Sequence, residues 1–214
     1  MVSLIVFDCD GVLFDSRAAN RAYYNDLLAL FDCNPMSDAE LDYVHCHNVN
    51  DAVDHIFSGY PEIELTRVHR RRQELDYDPY LSSMIMEQDL PRFLDAVTRN
   101  YRLAISTNRS TTMKPLLQRF GLTDYFELVV TSMDVDNPKP APDALLKIFN
   151  HFACGPAETI FIGDSEVDRL HAHNAGVDLI AFKNRGLAAR YHVDCFMDIL
   201  ALPPFCMTNP NQPL

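Results

Sequence analysis

Basic residues are scarce in this sequence of 214 residues. Lys and Arg together number 18 against 30 Asp and Glu, which gives a formal net charge of -12. An acidic surface repels nucleic acids and anionic membranes at long range, so we expect neither as a partner. A ligand that carries phosphate must therefore be attracted by local positive groups rather than by the field of the whole protein.

Long hydrophobic runs and paired cysteines are also missing. No apolar run approaches the roughly 18 residues of a membrane-spanning helix, and the chain starts directly with a short apolar strand, so we expect neither a membrane anchor nor a signal peptide. The six cysteines show no CxxC spacing, which disfavours a zinc site and a disulfide framework. Reduced thiols and a cytoplasmic location are the simplest expectation.

The most informative stretch is the first sixteen residues, MVSLIVFDCDGVLFDS. The apolar run LIVF predicts a strand that is buried on both faces, and Asp8 and Asp10 follow it. In a parallel α/β sheet, ligands bind outside the carboxyl ends of the strands. Two acids this close repel each other, and a hard cation such as Mg²⁺ would compensate them. An acidic turn in a solvated loop is the alternative explanation of this stretch taken alone.

The string DCDGVLFDS resembles the first motif of the haloacid dehalogenase superfamily, whose phosphatases carry DxDGxxxDS at this point. The resemblance implies that Asp8 is the nucleophile and that Asp10 is a general acid/base. The pattern of the dehalogenases in this superfamily lacks the second acid, so Asp10 argues for a phosphatase.

Residues 16–86 predict helices only. Apolar residues recur there at helical spacing, Ser37 and Glu40 form a capping-box pair, and Asn50 can cap a further helix. Another helix is predicted from residue 63 to about residue 75. We interpret residues 16–86 as an all-helical cap that is inserted into the chain.

The rest of the chain alternates strands with helices. Strands are predicted at YRLAIST, ELVVT, TIFIG and DLIAF, and also at residues 193–196. Strands that alternate with helices of about ten residues imply βαβ units and a parallel sheet. The predicted fold is therefore α/β, a Rossmann-like parallel sheet with helices on both faces. Residues 1–15 and 87–202 would form this core, and residues 203–214 a loose, proline-rich tail.

Thr107 and Asn108 follow the predicted strand YRLAIST. A hydroxyl group and exposed backbone N–H groups at a helix entrance suit a phosphate, although helix capping is the simpler explanation of these residues alone. The string AISTNRS resembles the second motif of the superfamily. The resemblance implies that Thr107 binds the transferring phosphoryl group, and Asn108 would add hydrogen-bond donors.

Lys139 lies between prolines in NPKPAP, residues 137–142. The prolines restrict the backbone, so the lysine is presented from a stiff loop, whereas an isolated lysine is usually a solvated charge. The segment resembles the third motif, whose lysine neutralises the phosphate and the nucleophilic carboxylate. The resemblance therefore implies a role for Lys139 in both catalysis and substrate binding.

Asp164 and Asp168 belong to GDSEVD, which follows the predicted strand TIFIG. Four residues make about one helical turn, so both side chains can point to one place. Acids also favour the first turn of a helix through its dipole, which is the alternative explanation. GDSEVD resembles the fourth motif, in which the first acid binds Mg²⁺ and the second supports it.

By these four motifs the chain is identified as a member of the haloacid dehalogenase superfamily, in the capped branch of phosphoglycolate-phosphatase-like enzymes and β-phosphoglucomutases. The resemblance implies a Mg²⁺-dependent phosphatase, monomeric or homodimeric, that hydrolyses a small phosphorylated metabolite through an aspartyl-phosphate. Asp8, the backbone carbonyl of Asp10 and Asp164 would bind the metal, supported by Asp168. The core motifs leave a phosphosugar mutase open, and a 2-haloacid dehalogenase or a non-catalytic binding protein fits them less well.

Substrate specificity is left to the cap. Its candidate residues facing the core are Arg17, Asn20, His45, His47 and Asn48. Family caps often carry a glycine near the position of His47, and this chain lacks it, which argues against phosphoglycolate as the substrate. A solvated helix face is expected for the basic cluster of Arg67, Arg70, Arg71 and Arg72.

Overall fold

The computed structural model describes residues 1–206 and consists of a parallel sheet with flanking helices and a further group of helices. The strands are β1 (Leu4–Phe7), β2 (Phe14–Asp15), β3 (Ile85–Met86), β4 (Arg102–Ser106), β5 (Leu128–Val130), β6 (Thr159–Gly163), β7 (Asp178–Phe182) and β8 (Tyr191–Val193). The helices are α1 (Arg17–Ala29), α2 (Asp38–Cys46), α3 (Val49–Ile56), α4 (Leu65–Glu74), α5 (Asp78–Leu81), α6 (Leu90–Val97), α7 (Met113–Arg119), α8 (Asp143–Phe152) and α9 (Glu166–Ala175). Short 3₁₀ helices lie at Thr123–Tyr125, Pro156–Glu158 and Phe196–Ala201. Within residues 1–206, no helix has the length and apolar character needed to cross a membrane.

Six strands form one fully parallel sheet in the order β5-β4-β1-β6-β7-β8. The strand order reverses beside β1, and in such sheets the reversal point is where ligands bind. Strand β1 is paired on both sides and all four of its residues are buried, which explains its continuous apolar run. The predicted α/β fold with a parallel sheet is confirmed.

Alternate strand residues face two different layers of helices. On one face, Ile5 and Phe7 pack in a core with α6 and α7, and on the other, Leu4 and Val6 pack with α8 and α9. The two-residue period of a β-strand separates these two sets. Helices therefore cover both faces of the sheet, as the sequence predicts.

Helices α1 to α4 share a third apolar core of their own, which includes Tyr23, Leu27, Val44, Val53 and Val68. The chain enters and leaves this region through an antiparallel ribbon, in which Phe14 lies opposite Met86 and Asp15 opposite Ile85. The sequence does not predict this ribbon, because two-residue strands are too short for a periodic pattern and form only through their pairing. We propose residues 16–86 as the extent of the helical cap.

The N-cap residue of α3 lies two residues before the predicted one. The side chain of Asn48, not that of Asn50, accepts hydrogen bonds from the backbone N–H groups of Asn50 and Asp51. Both asparagines are suitable N-cap residues by type. The backbone decides between them, because Asn48 has the extended conformation of an N-cap and Asn50 already lies within the helix.

The C-terminal segment differs from its prediction in two respects. The last strand is Tyr191–Val193 rather than residues 193–196, because its register is fixed by pairing with β7, and a 3₁₀ helix begins at Phe196. Phe205, expected in a loose tail, is buried beside Tyr101, with ring centroids 5.3 Å apart. Burying an aromatic ring stabilises a fold by roughly 1.5–3 kcal/mol, so this part of the segment packs on the core. The remainder of the expected tail, residues 207–214, lies outside the described residues.

Candidate active site

The carboxyl ends of three neighbouring strands carry the residues of the predicted site. Strand β1 lies between β4 and β6 in the sheet. Asp8 follows β1, Thr107 follows β4 and Asp164 follows β6. Because parallel strands end at the same edge of a sheet, the topology brings these side chains together.

Asp8, Asp164 and Asp168 form a cluster of carboxylates, and one oxygen atom of each lies within 4.8 Å of the others. Asp8 and Asp168 are buried. The side chain of Asp164 lies directly against the backbone of Gly11. Gly11 has a φ of +82°, a conformation that favours glycine. A Cβ atom on Gly11 would lie 2.1 Å from Oδ2 of Asp164, so a side chain here would displace this acid.

Lys139 compensates part of the negative charge. Its Nζ donates hydrogen bonds to Oδ1 of Asp8 and to Oδ1 of Asp168, both at 2.7 Å, and its side chain is 3% exposed. Burial disfavours the charged lysine, but the two carboxylates outweigh this effect and raise its pKa above the ordinary value. Ser165 Oγ donates to the other oxygen of Asp168 at 2.6 Å. Protein donors therefore engage both oxygens of Asp168.

Side chains of α9 fix the loop that carries the lysine. Asn174 Nδ2 donates to the carbonyl oxygen of Pro140 at 3.0 Å, and His171 Nδ1 donates to that of Ala141 at 2.6 Å. His171 Nε2 accepts from Ser106 Oγ at 2.9 Å. Burial lowers the pKa of His171 to about 4, so the ring is neutral and has one donor and one acceptor for these two partners. The loop is thus held by the helix as well as by its prolines.

The acid cluster retains unfavourable negative charge. Burial and then the charge of Asp168 raise the pKa of Asp8 to about 7. Burial, Asp168 and Asp8 raise the pKa of Asp164 to about 9. Within residues 1–206, Asp8 Oδ2 and the carboxylate of Asp164 accept no hydrogen bond. Free carboxylate oxygens with excess negative charge fit a hard divalent cation such as Mg²⁺.

Arg109 holds Asp10 in an ion pair that the motif interpretation does not include. Its Nε and Nη2 donate to the two carboxylate oxygens at 3.1 and 2.5 Å, and the two side chains are 5% and 13% exposed. Burial alone would raise the pKa of Asp10, but the guanidinium group lowers it below its ordinary range. The sequence contains one clue that Arg109 belongs to the site, because it is a cation two residues after Thr107 in a loop predicted to bind phosphate. The partner, 99 positions away, cannot be identified from the sequence.

The side chain of Asn108 is engaged by other parts of the protein. Its Nδ2 donates to the carbonyl oxygens of Cys46 and Lys139, both at 3.1 Å, so both side-chain N–H groups are engaged. Its Oδ1 is buried without a hydrogen-bond partner within residues 1–206. Thr107 Oγ1 accepts from the backbone N–H of Arg109 at 3.1 Å, which leaves its hydroxyl hydrogen available. The Thr107 hydroxyl is therefore free to donate, whereas the side-chain N–H groups of Asn108 are not.

A cavity of about 560 Å³ lies above this edge of the sheet. The predicted core residues that line it are Asp8, Asp10, Thr107, Asn108 and Lys139. The residues that line it from the helical region include Asn20, His45, His47, Asn48 and Arg72. The cavity therefore joins the predicted catalytic residues to four of the five predicted cap residues.

Two arginines have the opposite solvent exposure to the one predicted from the sequence. Arg17, expected to face the core, is exposed and forms an ion pair with Asp42 at 2.6 Å. Arg72, expected on a solvated face, is half-buried and lines the cavity. Consecutive helical residues point in different directions because a turn takes 3.6 residues, so the members of a basic run need not share one environment.

A family model described as haloacid dehalogenase-like hydrolase matches residues 5–182 of the chain. Among solved structures, a HAD-superfamily hydrolase of subfamily IA, variant 1, from Geobacter sulfurreducens has a TM-score of 0.82. Its sequence is 35% identical, and the match covers 94% of this chain and 99% of that one.

Two phosphatases are similar to this chain over most of their length. A pyrophosphatase PpaX from Halalkalibacterium halodurans is 28% identical in an alignment of 181 positions, gaps included, that covers 82% of this chain and 81% of that protein. A phosphoglycolate phosphatase from Rhodobacter capsulatus is 28% identical in an alignment of 222 positions, gaps included, that covers 95% of this chain and 96% of that protein. Because the family model extends from the first buried strand to the end of β7, and so over every element that carries the site, this chain belongs to the haloacid dehalogenase-like hydrolase family.

Proposed function

We propose that the protein is a Mg²⁺-dependent phosphatase that hydrolyses a small phosphorylated metabolite through an aspartyl-phosphate on Asp8. The observation that carries this proposal is the environment of the Asp8 carboxylate. It lines the cavity, Lys139 binds one of its oxygens at 2.7 Å, and Asp164 and Asp168 lie within 4.8 Å. The similarity to a phosphoglycolate phosphatase and a pyrophosphatase supports the class of reaction.

Asp8, Asp164 and the backbone carbonyl of Asp10 would hold the Mg²⁺. Within residues 1–206 this carbonyl accepts no hydrogen bond, so it is available as a ligand. Asp168 would support the site indirectly, because Lys139 and Ser165 already engage both of its oxygens. When bound, the ion supplies positive charge that allows an anionic phosphate to approach an anionic carboxylate.

The chemistry divides between Asp8 and Asp10. Asp8 attacks phosphorus, and the ester P–O bond breaks with its electron pair on the alcohol oxygen. Lys139 and the Thr107 hydroxyl stabilise the charge on the other phosphate oxygens. Asp10 protonates the departing alcohol and then takes a proton from the water that attacks the aspartyl-phosphate. Phosphate leaves and the Asp8 carboxylate is restored.

Arg109 favours one of the two tasks of Asp10. A carboxylate that accepts two guanidinium hydrogen bonds is held ionised, which prepares it to act as a base. To act as the acid, Asp10 must carry a proton, which the attacking water of the preceding turnover supplies. The protonated oxygen then gives up its hydrogen bond from Arg109 and donates to the leaving oxygen of the substrate. Arg109 is therefore a positioning residue whose contact with Asp10 changes during turnover.

We also propose that the enzyme works in a reducing compartment, the cytoplasm. Its six cysteines all lie within the described residues, and all are free thiols. Burial raises the pKa of Cys9, and it raises the pKa of Cys46 to about 12. Protonated thiols react slowly, which suits cysteines that line or adjoin a catalytic cavity.

Phosphate release should require Mg²⁺. The protein, stripped of metal with a chelator, is assayed with phosphorylated metabolites and with p-nitrophenyl phosphate, before and after Mg²⁺ is restored. We expect activity only with Mg²⁺, and no halide release from chloroacetate. Full activity after metal removal, or halide release without phosphate release, contradicts the proposal. Conversion of a hexose 1-phosphate to its 6-phosphate would identify a mutase instead.

Mg²⁺ should stabilise the protein more at high pH than at low pH. The folded pKa values of Asp8, about 7, and Asp164, about 9, lie above their ordinary value of 3.8, so the metal-free folded state retains protons that the unfolded chain loses. Its stability therefore falls as the pH rises through this range. Mg²⁺ replaces those protons, and the gain in melting temperature should grow from about pH 5.5 to about pH 8.5. At saturation we expect about 5–10 °C at the higher pH.

Two variants test this dependence by scanning calorimetry. Asp164→Asn, which removes one carboxylate ligand, should lose the gain. Asp124→Asn changes an exposed acid outside the cluster and should keep it. A gain that does not vary with pH would contradict the assignment of the ion to this cluster.

A further inference from the structure

Arg72 is a half-buried cation with few partners. It lies in the last turn of α4 and lines the cavity. Its Nε is buried and has no hydrogen-bond partner in the part of the chain that the structure describes. Its Nη2 reaches Asn50 Oδ1 at 3.4 Å. A buried donor on a charged group is unfavourable when it is left unpaired, so this guanidinium group has unused capacity to bind an acceptor.

The other arginines of the chain are either paired or solvated. Eight of them have a carboxylate within 4.0 Å. The arginines without such a partner in residues 1–206 are exposed, except for Arg72. Among the arginines of residues 1–206, Arg72 is therefore the one that is partly buried and has no carboxylate partner.

The cavity lining contains one more cation than acid. The acids in the lining are Asp10, which pairs with Arg109, and Asp8, which shares Lys139 with Asp168. The negative charge that Lys139 leaves uncompensated belongs to the acid cluster at the sheet edge, where Mg²⁺ would bind. Arg72 is the remaining cation. In a protein with a formal net charge of -12, such a cation creates a local attraction for an anion that the rest of the surface opposes.

Titratable neighbours do not neutralise Arg72. Tyr23 and Tyr24 line the same cavity, and burial raises the pKa of both above the ordinary value although the charge of Arg72 acts in the opposite direction. Both tyrosines are therefore neutral, so the Tyr23 hydroxyl oxygen accepts a hydrogen bond from the Arg72 side chain without bringing a negative charge to it. The charge of Arg72 is left for a ligand.

We propose that Arg72 binds a second anionic group of the substrate, so that the preferred esters carry a carboxylate or a second phosphate on the alcohol that leaves. A guanidinium group binds either anion through two parallel hydrogen bonds, and its Nε and one Nη can form this fork. The inference rests on the proposed phosphatase function and specifies its substrate class. An ester that reaches both Asp8 and Arg72 spans the cavity from the sheet edge to α4.

Arg72→Gln should discriminate between esters with and without a second anion. We expect kcat/KM to fall about 10- to 100-fold for the former and to change less than about twofold for the latter. Phosphoglycolate against ethyl phosphate tests a carboxylate on a carbon chain of equal length. A hexose bisphosphate against the corresponding monophosphate tests a second phosphate. The substrate pair whose ratio of kcat/KM values falls in the variant identifies the anion that Arg72 binds.

Arg71→Gln is the matched control. Arg71 is the neighbouring residue on α4, but it is exposed and pairs with Glu74 one turn away, so its loss should change all four substrates less than about twofold. Arg72→Lys keeps the charge without the fork and should retain part of the discrimination. An equal loss on all four substrates with an unchanged melting temperature, or no loss on any, overturns the inference. If the wild-type protein cleaves no phosphate ester, the proposed function fails instead, so the two failures are distinguishable.

Discussion

Asp8→Asn should abolish the hydrolysis of every phosphate ester, with kcat lowered by at least about 10⁴-fold. The amide has nearly the shape of the carboxylate, but it is neutral and a poor nucleophile, so no bond to phosphorus forms. The loss should be the same for alkyl and aryl esters, because both require the attack of Asp8 on phosphorus, whatever the leaving group. Acid quenching of the reaction during turnover should trap phosphorylated wild-type protein and none of the variant.

This variant should still fold. The raised pKa of Asp8 means that its ionised form is unfavourable in the metal-free protein, so a neutral amide relieves repulsion within the acid cluster. Lys139 keeps Asp168 as a partner at 2.7 Å. We expect a metal-free melting temperature at or above that of the wild type near neutral pH, with Asp124→Asn as the control for the loss of an exposed acid. A folded Asp8→Asn protein that retains ester hydrolysis would show that another group is the nucleophile.

Asp10→Asn should separate the two halves of the reaction. An alkoxide needs a proton to leave, and general acid help is typically worth about 10²–10⁴-fold, so alkyl phosphates should be slowed by this factor. A nitrophenolate ion is stable without the proton. The variant should therefore form the aspartyl-phosphate from p-nitrophenyl phosphate and then hydrolyse it slowly, because no base activates the water.

Rapid-mixing kinetics measure this separation directly. We expect a burst of nitrophenol near one equivalent per active site, followed by slow turnover. The asparagine oxygen can still accept one of the two hydrogen bonds from Arg109, and the backbone carbonyl is unchanged, so Mg²⁺ should still raise the melting temperature. If alkyl and aryl esters are slowed equally without a burst, while this Mg²⁺ effect persists, Asp10 is not the acid/base.

The sequence by itself determines the strands and helices that lie next to the acids. The strands Thr159–Gly163 and Asp178–Phe182 have the bounds predicted for them, and the helix Glu166–Ala175 connects them. Each is specified by local signals: an apolar run buried on both faces, a capping box at Ser165, and Gly176 with a φ of +72° after the helix. Because parallel strands end at one edge, the neighbouring strands β4, β1 and β6 place Thr107, Asp8 and Asp164 together.

The tertiary structure alone decides which charges meet. Asp10 and Arg109 are 99 positions apart, and nothing in either segment identifies the other as its partner. The run of arginines on α4 gives each member the same local pattern, yet only the packing of the helix puts Arg72 in the cavity and leaves Arg71 exposed. The physical reason is that burial periodicity and helix caps are properties of a few neighbouring residues. The partner of a charged side chain depends instead on contacts between segments that are distant in the sequence and come together only when the chain folds.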